Sequence, residues 1–300
     1  MRLPRGGARF VFGFLALPVL LYLVFMIGPY LQAFYLAFTD WRGVSASPHF
    51  NGIDNFVKLF KDEVFWKAVT HHLVLLVALP LITLVIGLFF AFLLNMGGGT
   101  KGVRGSKFYQ AVFFFPQVLA VAVIGVLFQA MYRPDKAGVL NGLLDALGLP
   151  SVGWLTNPNL ALWSLIAVLV WQSVGFYVVL FAAGMASIPQ EVIEAAELDG
   201  CSKARMFFQV TLPLLWDTVQ VAWVYLGIAA FDGFALVATL SVDRGGPDGA
   251  TTVLPLEIWR NAFTFSKYGY ASSMGVALFI LSLTFAVLTL RVTRRERIEY

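Results

Sequence analysis

A single cysteine, Cys201, in 300 residues leaves no partner for an internal disulfide and excludes a cage of cysteine ligands around a metal. Charge is nearly as scarce. Asp, Glu, Lys and Arg make up 13% of the chain against 59% hydrophobic residues, and the mean hydropathy is +0.79, far from the balance of a soluble domain. No G-x-x-x-x-G-K-[ST] phosphate loop occurs, because no Lys-Ser or Lys-Thr follows Gly102, so the chain has no means of hydrolysing ATP alone. H-E-x-x-H and G-x-S-x-G are missing as well. Histidine is limited to His49, His71 and His72, and the adjacent pair cannot both face one way on a helix, which argues against a metal site there. Repeats and low-complexity tracts are absent. Together these gaps exclude catalysis by the chain itself and a resident cofactor or metal. The net charge of +4 reads as membrane topology, with nucleic-acid binding excluded.

What is abundant is long apolar runs. Six spans are expected, at about Phe10–Phe38, Thr70–Asn95, Phe108–Met131, Leu160–Met185, Leu212–Leu240 and Ala271–Leu290. The fold class is therefore an all-α, multi-pass integral membrane protein surrounded by lipid. Arg2, Arg5 and Arg9 precede the first run as in a secretory signal, but the run is too long for a signal core and no A-x-A-like site follows promptly, so it reads as an uncleaved span. The chain is expected to be one membrane domain over residues 1–300, since the outer loops near 39–69, 132–159 and 241–270 are too short to fold alone and better suited to docking.

Orientation follows from the basic residues. With the N-terminus inside, twelve Lys and Arg fall on the cytoplasmic side and nine outside, the outer ones matched by nine acids. The turn Gly97-Gly-Gly-Thr-Lys-Gly102, with Lys101, Arg104 and Lys107 close by and no acid, is a strong inside marker. Both termini are expected to be cytoplasmic.

The fourth-to-fifth connection, 187–211, is then also inside. Ser187-Ile-Pro-Gln190 reads as a helix start with Ser187 as N-cap and Gln190 completing a capping box. Gly200 ends that helix, and Ser202 caps a second short helix before Pro213. Glu191, Glu194 and Glu197 fall on one face, and Ala195 and Ala196 permit close approach by a partner. Membrane-surface helices favour Lys and Arg on the polar face; this face is acidic.

Glu194-Ala-Ala-x-x-Asp199-Gly200, followed by Phe207 or Phe208 and by Thr211-Leu-Pro213, resembles the EAA loop of permease subunits in bacterial ATP-binding cassette importers. Phe38-Thr-Asp-Trp41, Asn51-Gly-Ile-Asp-Asn-Phe56, Trp154-Leu-Thr-Asn-Pro158, Ser187-Ile-Pro189 and Gly245-Gly-Pro247 extend the likeness to the maltose- and glycerol-3-phosphate-type branch, whose members import carbohydrates. Cys201 departs from the small Ala common there. The resemblance implies a bacterial cytoplasmic-membrane location and a coupling site of Glu194, Ala195, Asp199 and Gly200 seated in an ATPase subunit that binds ATP and Mg. It further implies a second permease subunit, most often a different chain, and an extracytoplasmic solute-binding protein, for which Gly245–Lys267 is a contact candidate.

For the solute path, Phe231-Asp-Gly-Phe234 sets a carboxylate between aromatic rings, with Gly233 able to loosen the helix. Sugars offer hydroxyls to carboxylates and apolar faces to rings, so Asp232 and Phe231 are candidate contacts, with helix packing as the alternative. Gln172 and Tyr177 are candidates of the same kind, against cross-helix hydrogen bonding. Asp217 reads as interfacial. The reading is an importer permease; the rival is a proton-coupled secondary carrier using Asp232.

Overall fold

The computed structural model describes residues 7–44, 47–95, 103 and 105–292. Arg2, Arg5, Arg294, Arg295 and Arg297, together with Gly97–Gly102 and Arg104, lie outside the described residues. Among the described residues the backbone is helical, apart from loops and one isolated bridge, Thr39 to Phe50. An apolar chain at membrane depth has no water to satisfy its N–H and C=O groups, and the helix satisfies them internally.

In chain order the elements that matter are α1 (Val11–Leu36), α2 (Asp54–Lys61), α3 (Glu63–Asn95), α4 (Ser106–Val118), α5 (Val121–Met131), α6 (Val139–Ala146) and α7 (Pro158–Ala186). They continue with α8 (Gln190–Leu198), α9 (Lys203–Leu214), α10 (Trp216–Phe231), α11 (Phe234–Leu240), α12 (Leu254–Trp259) and α13 (Tyr268–Val292). Among the described residues four helices, α1, α3, α7 and α13, are long and apolar enough to cross a membrane, or up to six spans if each of two bent pairs counts as one.

Those bent pairs correct the expectation of continuous third and fifth spans. Between α4 and α5 the chain turns by 96°, because Leu119 and Ala120 are extended, three and four residues beyond Pro116. Between α9 and α10 it turns by 70° at Leu215, two residues beyond Pro213. A further break follows α10, where Asp232 leaves helical geometry (φ −103°, ψ 62°) and α11 starts after Gly233.

Contacts divide the chain into two compact units, Met1–Phe65 with Glu257–Ile280, and Trp66–Leu256 with Leu281–Tyr300. In the first, the buried Asn55 side chain donates to the carbonyls of Ala37 (3.0 Å) and Thr39 (2.7 Å), satisfying the end of α1. In the second, α4 packs on α7 at Gly175, where a Cβ would collide with the Phe113 carbonyl. Small residues allow such backbone approach between membrane helices.

Candidate functional site

The connection 187–211 has the two helices and the glycine turn expected of it, with a different start. Ser187 is the C-cap of α7, and its Oγ donates back to Gly184 O at 2.7 Å, so it neither caps α8 nor forms a capping box. Pro189 occupies the position before α8 instead, and the Gln190 amide donates to Glu194 Oε1 at 2.7 Å. A serine two residues before a proline can end one helix as readily as begin the next, and here α7 runs long enough to claim it.

The far end of α8 is as expected. Gly200 sits at φ +74°, with Gly200 N–H donating to Glu197 O (3.0 Å) and Cys201 N–H to Ala196 O (3.1 Å). This paired closure needs a left-handed residue. Ser202 accepts from Arg205 N–H at 3.4 Å and caps α9. Glu191, Glu194, Ala195, Glu197 and Asp199 are exposed, and Leu198 is 89% exposed, a large apolar side chain left open on a small acidic helix. Ala196, by contrast, is buried against the chain itself. The two alanines thus differ in exposure, and only Ala195 permits approach from outside. Phe207 anchors the following turn against Phe92, with ring centroids 4.7 Å apart.

The four solute-path candidates fall in the second unit. Asp232 is exposed at the helix break, whereas Phe231 is buried, stacked on His72 (centroids 5.4 Å, 30°) and edge-on to Phe285 (6.2 Å). Tyr177 is buried, its Cβ beside Gly87 of α3, and Gln172 is half-buried. Among the described residues no hydrogen bond or ring contact joins Asp232 to Gln172 or Tyr177. Asp217 is exposed in the first turn of α10.

His72 was not among the sequence candidates. It is 1% exposed, and its Nε2 accepts from Leu254 N–H at 3.0 Å. Nδ1 therefore carries the proton and donates to Ala230 O at 3.2 Å, one of the carbonyls left over at the end of α10. His71 Nδ1 donates to Thr252 O at 2.7 Å. The pair ties α3 to the Asp232 break and to the Thr251–Leu254 segment. An ionisable side chain inside an apolar run was the available signal. Among the described residues no three His, Cys, Asp or Glu side chains gather as a metal site.

A helical chain with broken spans at membrane depth and an exposed acidic turn following its long fourth-span helix belongs to the class of membrane-embedded transport subunits. Comparison with known proteins narrows this: the chain belongs to the family of binding-protein-dependent transport system inner membrane components, matched over residues 73–298. It is 40% identical to the diacetylchitobiose uptake system permease protein NgcF of Streptomyces coelicolor, over 98% of this chain and 84% of that one. It is 33% identical to the multiple sugar-binding transport system permease protein MsmF of Streptococcus mutans, over 94% of each. In fold it resembles a chain of a bacterial alginate ABC transporter crystallised with an alginate pentasaccharide-bound periplasmic protein, with a TM-score of 0.83, 23% identity and coverage of 95% and 94%. Members of this family are inner-membrane permease components without catalytic activity of their own.

Proposed function

We propose that this chain is a permease subunit of an ATP-driven carbohydrate importer, one membrane domain that forms half of the translocation path. The observation that carries the reading is the near full-length likeness to sugar permeases, 40% identity over 98% of the chain in the first case. Solute delivered by an extracytoplasmic binding protein crosses between this chain and a second permease subunit of a different sequence. Two ATPase subunits, holding ATP and Mg, close on α8 and move the spans. Both termini and residues 187–211 are cytoplasmic, in agreement with the distribution of basic residues.

Support for the coupling role comes from α8 itself. Its exposed Glu194 and Ala195, the Asp199-Gly200 turn and the bare Leu198 form a projection that pairs with a basic, partly apolar cleft. Asp232, with Phe231 and the α7 residues Gln172 and Tyr177, is assigned to the solute path. An exposed carboxylate at a break in a membrane helix fits a polar ligand better than lipid.

The test is copurification with the ATPase subunits and solute-stimulated ATP hydrolysis. Glu194→Lys reverses the charge of the projection, and Gly200→Pro cannot reach φ +74°. Both variants are expected to lose the ATPase while remaining in the membrane. Retention of a fully stimulated ATPase in both would remove α8 from the coupling path.

A further inference from the structure

A cavity of about 520 Å³ lies in the unit formed by Met1–Phe65 and Glu257–Ile280. Its wall is drawn from three stretches of chain: Asp40 and Arg42 beyond α1, Lys58 on α2 with Asp62 just after it, and Lys267 and Tyr270 where α13 begins. Asp62 is fully engaged. Its Oδ1 accepts from the N–H groups of Val64 (2.9 Å) and Phe65 (3.4 Å), and its Oδ2 from Tyr270 Oη (2.5 Å). That leaves the Asp40 carboxylate facing three cations. Arg42, Lys58 and Lys267 are exposed, and none forms an ion pair among the described residues.

Their number matters because the proposed topology, on which this inference rests, places this unit's loops outside. Positive charge on the outer side works against that orientation. Three other outer cations are neutralised locally: Arg133 by Asp135, Lys136 by Asp145 and Arg260 by Glu257. Three that are not so paired converge on one cavity, which also has Trp41 in its wall. Arg and Trp are side chains that anchor protein interfaces, and unpaired cations around a concave wall select an anion.

We propose that this cavity receives an acidic surface turn of the solute-binding protein, its carboxylates paired by Arg42, Lys58 and Lys267. The volume exceeds that of one carboxylate and suits a short turn of chain. Docking there adds a charge-steered anchor and makes association dependent on ionic strength.

The experiment titrates the solute-binding protein onto the complete transporter in lipid nanodiscs, comparing wild type with Lys58→Glu and Lys267→Glu. Both side chains are exposed, so folding is preserved, and copurifying ATPase serves as the internal check. Each reversal is expected to weaken docking about tenfold or more and to flatten its dependence on salt between about 50 and about 300 mM. A Lys substituted for one Asp or Glu on the binding protein is expected to restore docking to Lys58→Glu. Wild-type affinity and salt dependence in both variants would overturn the proposal while leaving the importer reading intact. Displacement of the binding protein by free galacturonate would overturn it in favour of a small acidic sugar as occupant. If the wild-type transporter recruits its ATPase but no binding protein, the docking site and the importer reading fall together.

Discussion

At the scale of single residues, the strongest constraint is a buried polar group that serves two backbone partners at once. His72→Ala leaves the Leu254 N–H and the Ala230 carbonyl without their partner in a region the imidazole had sealed. The expected loss is about 2 kcal/mol or more, seen as a lower thermal midpoint of the purified protein. A midpoint equal to wild type would mean that solvent or lipid headgroups reach both groups. Glu257 gives a pH-dependent case. It is 4% exposed, and burial raises its pKa above the ordinary 4.5 despite the opposing Arg260 guanidinium at 2.8 Å. The folded state then binds this proton more tightly than the unfolded state, so the associated stability is present below the unfolded pKa and fades as pH rises through the folded one. Glu257→Gln removes that loss. Its thermal midpoint relative to wild type should climb as pH rises above the ordinary carboxylate range, and a difference that is flat with pH would exclude Glu257 as the titrating group.

At the scale of elements, the sequence was readable where composition decides and silent where direction decides. Apolar length located α1, α7 and α13 within a few residues and the end of α3 at Asn95, though α3 starts seven residues before the expected Thr70, and Gly200 and Ser202 identified their turns because each has one local task. Hydropathy averaged over a window is blind to a change of axis, so the 96° and 70° turns after Pro116 and Pro213 could not be read from it. Ser187 was assigned to the wrong helix because the capping pattern does not say which of two neighbours claims the residue. The two alanines of α8 looked equivalent until packing buried one of them. Helix approach is a further property that emerges only in three dimensions. Gly175 on α7 meets the backbone of Phe113 on α4, so Gly175→Val must push the two helices apart. A cost of about 1–3 kcal/mol is expected in thermal stability, with ATPase recruitment through the distant α8 retained. Wild-type stability in that variant would show that α4 can slide to accommodate an isopropyl group.

At the scale of the whole molecule, the proposed function gives the chain a path and a handle but no engine. A phosphate loop is absent from its sequence and the acidic residues of α8 are exposed, so in the proposed importer work enters through another subunit. Movement of solute then depends on states that bind solute or nucleotide differently, which a single chain under a proton gradient does not supply unless a carboxylate titrates within the path. Asp232 is the residue on which these accounts part. In proteoliposomes containing only this chain and its partner permease, an imposed pH gradient is expected to drive no sugar uptake. With ATPase and binding protein added, ATP-driven uptake is expected. Asp232→Asn should then weaken solute-stimulated transport about tenfold, the order expected for one lost charged hydrogen bond to a sugar hydroxyl, without changing ATPase recruitment. Gradient-driven uptake by the chain without ATP, abolished in Asp232→Asn, would make Asp232 a proton carrier and α8 a helix without a coupling role.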